Sequence, residues 1–365
     1  MAPAPAPNHQ LTISAGALAQ AVAAIFSAAG VNPADAVIVA EDLVAADLEG
    51  VASHGAMLVP MYLDRLLSGS ISKRSAGDVV WNRDGAIVLD AANAFGQLTA
   101  RQAVALAVAR AREVGLAAVA VRNAFHFGTA GRYARLMADQ GCVGIVMSNT
   151  RPLMPAPGGA EALVGNNPLA VALPSQGDFP AEVDLALSAT AMGKIRLAAA
   201  AGQTIPEGWA ADAQGRATTD PNAAIKGMLL PAAGSKGFGL AFVIDMLCGG
   251  LSGGAVGAEV QPLYGDPAKP YQCSHLFLAI DSGHFPTGDD LAARTAARTA
   301  RVAASKRAPG VERIYAPGEL AFTTRGQNAG TCRLSPETAR SLIEAAAKVG
   351  VVLNETLSLQ KENVS

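Results

Sequence analysis

Three short stretches carry residue types that could do chemistry. The first is "AFHFGTAGRYARL", residues 124–136, where His126 sits between Phe125 and Phe127 and is followed by Gly128 and Gly131. An apolar run, Gly115 to Val121, precedes it, and a stretch of helical character follows. A histidine where a strand gives way to a helix can exchange a proton near neutral pH, and such junctions commonly hold catalytic groups. The glycines would let a ligand approach the backbone. The same ring could equally be a core histidine wedged between aromatics. The second stretch is "ASHGAML", with His54 at the start of a helix that Ser53 could cap. The positive end of that helix would disfavour imidazolium and leave a neutral ring. An ordinary surface histidine is the plainer alternative. The third stretch is "GSKGFG". Lys236, flanked by glycines ahead of an apolar helix, could meet an anion at a helix N-terminus, or could be a solvated turn lysine.

The elements that must position these residues are legible in outline. From Ser14 to Leu48 the pattern is helical: one helix ends near Gly30, and a second starts with Asn32 as N-cap and Pro33 at N1 and stops at Gly50. A third helix is expected over roughly 54–67. From about Asp78 the texture changes. "VVWNRDGAIVLDA" reads as a hairpin turning at Arg83-Asp84-Gly85, and "TARQAVALAVARAREVG" as an amphipathic helix. "LAAVAV", "CVGIVMSN", "PLAVALPS", "AEVDLALS" and "HLFLAIDSGHF" are strand candidates, with a helix over 130–140 between the first two. "PEGWAADAQGRATTDPNAA" reads as an ordered loop, and "GFGLAFVIDMLCGGLSGG" as an apolar helix ending in glycines. After Asp289 the chain is expected to be helical twice more. The fold class is therefore α/β (α+β). The organisation is a tail over 1–10, a helical domain built from 11–77 and 290–365, and an α/β domain over 78–289.

Composition narrows the function classes. A formal charge of −2, with no basic run, gives no electrostatic case for nucleic acid or an anionic membrane surface. No apolar stretch reaches the roughly 20 residues that a membrane helix needs. The first ten residues lack a signal-peptide pattern. The four cysteines, Cys142, Cys248, Cys273 and Cys332, form no C-x-x-C pair, so no metal site is expected and buried free thiols in a reducing, cytoplasmic setting are. The apolar α/β middle invites a search for a dinucleotide fingerprint, but no G-x-G-x-x-G follows a strand. "KGFGLAF" has Phe242 where the third glycine belongs, and no P-loop is present.

Several local patterns nevertheless coincide in order: "SHG" with Tyr62 downstream, "HFGTAGRYA", "MSNTRPLMPAPGG", "GNNPLAVALP", "VDLALSATAMGKI", "IPEGWAADAQGRATTDP", "GSKGFGLAFVIDMLCGGLSGG" and "ERIYAPGE". Together, over roughly 12–320, they resemble the type 2 malate/L-lactate dehydrogenase family, NAD(P)-dependent oxidoreductases whose members include ureidoglycolate and sulfolactate dehydrogenases and diketogulonate reductase. The resemblance implies a non-Rossmann nucleotide-binding domain with a mainly antiparallel sheet, helical segments from both chain ends, and a homodimer. It implies NAD or NADP as cofactor, and a small-molecule substrate. It places His54 and His126 as the two candidates for proton transfer, since members have been assigned one or the other; His54 is favoured here because it opens a helix. Cofactor contacts carry over to Thr150, to Asp184, Leu185, Ala186 and Ser188, to Lys236 and Gly237, and to Pro317, Gly318 and Glu319.

The chain departs from the family at three places. Glu49 and Leu58 stand where many or some members have substrate-carboxylate arginines, and Leu187 replaces a threonine. Arg132 and Arg151, with Tyr62, are the remaining candidates for holding substrate. Asp184 is the candidate partner that could orient an imidazole. The expected reaction interconverts a 2-hydroxy acid and a 2-oxo acid, with a histidine moving the proton. Reduction of a cyclic ketimine is the second enzymatic reading, and an inactive binding protein of the same fold is the third.

Overall fold

Caps and glycines delimit the first helices where the sequence puts them. In the computed structural model, which describes residues 11–353, Ser14 Oγ accepts from Ala17 N (3.1 Å) and starts the helix Ala15–Ala28. Asn32 Oδ1 accepts from Ala34 N (2.9 Å) and starts Pro33–Leu48. Gly30 (φ +91°) and Gly50 (φ +80°) take the left-handed backbone that closes these helices. The two helices pack against each other and bury Leu18, Val22, Phe26, Val39 and Leu43. The tail expected over 1–10 lies outside the described residues.

The expected third helix is different in kind. Two short 3-10 turns, Ala52–His54 and Ala56–Leu58, precede an α-helix that begins only at Val59. Pro60 fits the first turn of that helix but cannot continue one that started earlier, because it lacks an N–H and crowds the preceding turn. Among the described residues after 289 there are three α-helices, Leu291–Ala303, Glu319–Asn328 and Pro336–Lys348, rather than two. A strand, Thr331–Leu334, separates the last pair and runs antiparallel to Leu11–Ser14.

By backbone proximity the chain sorts into two units: Met1–Ser75 with Leu320–Ser365, mostly helical, and Ala76–Glu319, mixed α/β. The centre of the α/β unit is a seven-stranded sheet in the order 78–83, 86–90, 116–124, 273–281, 142–148, 169–173, 181–185. All neighbours are antiparallel except 86–90 and 116–124, which are parallel and joined through the helix Gly96–Val114. A parallel pair needs a crossover of that kind. The hairpin turns at Asp84 (φ +49°), as its sequence suggests. The stretch read as an ordered loop contains two short strands, Ala210–Ala211 and Ala217–Thr218, in a small three-stranded sheet, and the helix Pro221–Lys226. The apolar helix is Ser235–Asp245, followed by a π-helical turn, Met246–Gly250.

Candidate active site

His54 occupies the last position of its 3-10 turn, not the N-terminus of an α-helix. Its pKa is lowered from the usual 6.5 by burial rather than by a helix dipole. Ser53 caps nothing. Its Oγ lies 2.9 Å from His54 Nδ1, so the hydroxyl engages that ring nitrogen and orients the imidazole. The sequence suggests only a cap for Ser53, and its adjacency to His54 is the signal of this contact. The turn continues at Gly55, where a Cβ would overlap the Asp47 carboxylate, and at Ala56, whose N–H donates to Asp47 Oδ2 (2.8 Å). Asp47 is buried near the end of Pro33–Leu48, and burial pushes its pKa up to about 6 against the pull of the Ala56 amide.

The neighbouring expectations sort by burial. Tyr62 has no accessible surface and packs in the core of the helical unit, an environment that does not suit a substrate contact. Leu58 is likewise buried. Glu49 is largely covered, and its Oε1 lies 3.9 Å from Arg325 Nη1 of Glu319–Asn328. Asn328 of the same helix donates to Leu48 O (2.7 Å), which ties down the turn that carries Glu49.

His126, in the α/β unit, lies in the five residues between the strand Leu116–Ala124 and the helix Ala130–Ala138. It is half-buried, whereas Phe125 and Phe127 are fully buried, so the aromatics anchor the loop. Phe127 packs edge-on against His275 (4.2 Å between centroids) and Tyr133 (5.1 Å), and Tyr133 donates its hydroxyl to Phe127 O (2.7 Å). Gly96 opens its helix directly against the Phe125 and His126 carbonyls, where a Cβ would overlap both. Burial lowers the His275 pKa to about 3, so this ring is a neutral packing group, and its Nε2 lies 3.1 Å from the Cys273 thiol. Arg132 is half-buried in the first turn of Ala130–Ala138, and Arg151 is exposed.

The expected cofactor residues fall into two groups. Asp184 lies on the edge strand Ala181–Leu185 and accepts from Gly131 N (2.8 Å). It thus satisfies one of the free amides at the start of Ala130–Ala138. Glu182, two residues earlier, pairs with Arg135 (2.7 Å) on that helix and donates its own N–H to Pro317 O (3.4 Å). Gly318 (φ +86°) and Glu319 complete that turn, with Glu319 accepting from Ala316 N (2.8 Å) and pairing with Arg313. The Ala316 amide, with Arg313, holds the Glu319 pKa below the usual value.

In the second group, Thr150 Oγ1 donates to Asn166 Oδ1 (3.0 Å), and Thr150 N to Asn167 Oδ1 (2.9 Å). Asn167 in turn donates to Ala241 O (2.8 Å), and Asn149 to Asp245 (2.8 Å), so asparagines tie this loop to the helix Ser235–Asp245. Gly165 leaves room for this network, because a Cβ there would overlap Thr150 Oγ1 and Asn167 Oδ1. Leu185 and Ala186 are exposed, Leu187 is buried, and Ser188 bridges to Pro231 and donates to Thr190 O (2.8 Å). Thr190 Oγ1 is buried with no hydrogen-bond partner among the described residues. Gly237 fits against Ala232 O, where a Cβ would overlap, and Lys236 is exposed in the first turn of its helix. An unsatisfied hydroxyl, an exposed strand edge and a lysine at a helix start suit a polar, anionic ligand. Among the described residues no cluster could hold a metal ion, and no helix is long and apolar enough to cross a membrane.

The chain is similar to proteins of one family. A model of the malate/L-lactate dehydrogenase family matches residues 13–342. The chain is 36% identical over 311 residues to a malate dehydrogenase of Pyrococcus abyssi, covering 83% of this chain and 85% of that one. It is 39% identical over 269 residues to a (2R)-3-sulfolactate dehydrogenase (NADP(+)) of Chromohalobacter salexigens, covering 73% and 80%. The solved structure of the sulfolactate dehydrogenase from Methanocaldococcus jannaschii superposes with a TM-score of 0.89 at 32% identity, over 94% of this chain and 99% of that one. With its mixed α/β fold and mainly antiparallel sheet, the chain belongs to the malate/L-lactate dehydrogenase family.

Proposed function

We propose that this protein is an NAD(P)-dependent oxidoreductase that interconverts a 2-hydroxy acid and the corresponding 2-oxo acid. The observation that carries the proton-transfer role is the Ser53–His54 pair: a ring kept neutral by burial, with one nitrogen fixed by a hydroxyl. A serine hydroxyl both donates and accepts. With Ser53 accepting from Nδ1–H, the neutral ring takes the alcohol proton at Nε2 and becomes imidazolium. In the reducing direction that imidazolium returns the same proton from Nε2 to the developing alkoxide.

The cofactor supplies or accepts the hydride, held in an α/β unit that does not use the Rossmann fingerprint. Lys236 at its helix start, Thr150, the 184–188 strand edge and the 317–319 turn are the residues assigned to it. His126, on its anchored loop, together with Arg132 and Arg151, is assigned to binding the substrate and its carboxylate. The buried free thiols fit a reducing, cytoplasmic setting. A homodimer is the proposed assembly. Leu240, Phe242, Val243, Met246 and Leu251 are exposed apolar side chains within 235–251, which a partner subunit would cover. Light scattering should give twice the 36.9 kDa chain mass; a monomer at micromolar concentration would remove the dimer.

The test of function is a nicotinamide absorbance screen of 2-hydroxy acids, 2-oxo acids and cyclic ketimines with NADH and NADPH. Turnover of a 2-oxo acid is expected. His54→Ala should lower its kcat on the order of 10²–10⁴-fold with little change in cofactor affinity, and His126→Ala should act mainly through KM. Turnover confined to cyclic ketimines would replace the proposed substrate class. Binding of neither cofactor would remove the enzymatic reading.

A further inference from the structure

Asp47 is placed against its own electrostatics. It is buried, it sits near the carboxyl end of its helix, where negative charge is unfavourable, and it carries one hydrogen bond. Asp42 shares its helix, Glu49 is the C-cap of that helix, and the thiol of Cys332, on the strand Thr331–Leu334, faces it. The Cys332 pKa is pushed up to about 12, first by burial and then by the Asp47 charge, so the thiol offers no countercharge. No cation is paired with Asp47 among the described residues. What the carboxylate does touch is the segment that carries His54. Oδ2 accepts from Ala56 N, and the carboxylate fills the space beside the Gly55 Cα where any other residue would put its Cβ. Gly55 has a φ of −99°, an ordinary value, so glycine is required there for room and not for conformation.

We infer that Asp47 is a positioning residue for the His54 turn: its side-chain acceptor clamps the Gly55–Ala56 peptide and so holds the His54 ring in register with the reaction. This rests on the assignment of proton transfer to His54. The clamp needs an acceptor of this size at position 47 and a bare Cα at position 55. It does not need the charge.

The full-length enzyme tests this with four variants. Asp47→Ala should lower kcat about 10–100-fold, as a displaced catalytic group does, with cofactor dissociation unchanged and faster amide hydrogen exchange in the 54–56 peptide. Asp47→Asn, which keeps the acceptor, should restore kcat to within about twofold of the unaltered enzyme and keep exchange slow. Gly55→Ala should mimic Asp47→Ala, and the Asp47→Ala/Gly55→Ala double variant should be little worse than either alone, because the clash is gone. Unchanged exchange at Ala56 in Asp47→Ala would overturn the clamp, and so would an equal loss in Asp47→Asn or fully additive losses in the double variant. A His54→Gln enzyme with ordinary turnover would instead remove the histidine assignment, while leaving the exchange result to stand by itself.

Discussion

Asp47 and His54 hold their unusual environments at a cost that pH can expose. The folded Asp47 pKa, about 6, is above the 3.8 of an open chain, so between those values the folded state holds more protons than the unfolded state. Its contribution therefore turns unfavourable as pH rises through that window, and the penalty is complete above about pH 6. A displacement of this size corresponds to roughly 3 kcal/mol as an upper limit. Asp47→Asn should then raise Tm at pH 7 and leave it nearly unchanged at pH 4. A Tm that fell at pH 7 would mean the charge itself stabilises the fold. At this scale the sequence was informative about identity and silent about contact. "SHG" and "HFG" stood out, but the partners of the rings did not. Asp47, seven residues from His54, looked like one more polar residue on an amphipathic helix.

Among the elements, caps and breakers were the legible part. Asn32-Pro33, Gly30, Gly50 and the turn at Asp84 all act locally, and all stand where the sequence pattern puts them. The strands Leu11–Ser14 and Thr331–Leu334 were missed, because four residues show no clear alternation and each is fixed only by pairing with a segment far along the chain. The 3-10 turns before Val59 were missed because helical periodicity runs through them without marking where hydrogen bonding changes. The loop 165–167 is where an element-scale prediction belongs. Gly165→Ala would drive a Cβ into Thr150 Oγ1 and Asn167 Oδ1, both parts of a network anchored on the helix Ser235–Asp245. If Thr150 contacts the cofactor, the variant should weaken cofactor binding about tenfold or more, read by fluorescence titration. Unchanged affinity would take Thr150 out of the cofactor site.

For the molecule as a whole, acid should act through its buried neutral rings. His275 titrates at about 3 in the fold but at 6.5 in an open chain, so the unfolded state binds more protons between those values. Stability is therefore complete above about pH 6.5 and declines as pH falls toward 3, by several kcal/mol at most. His54, also depressed, adds in the same direction. Chemical denaturation between pH 7 and pH 4 should show this slope, and His275→Gln should flatten it. An unchanged slope would place the acid sensitivity elsewhere.

The strand order of the central sheet also sets a timetable for synthesis. The strand Cys273–Asp281 lies between Leu116–Ala124 and Cys142–Ser148, yet the ribosome makes it more than a hundred residues later. Until it arrives, the two earlier strands have an empty lane between them, and the loop bearing His126 lacks the ring of His275 against which Phe127 rests. The first strand of the helical unit waits longer still, for residues 331–334. Such late, distant pairings slow folding and leave strand edges open during translation. A nascent chain stalled before residue 273 should thus be protease-sensitive throughout its α/β part, whereas one released past residue 334 should gain resistance in both units.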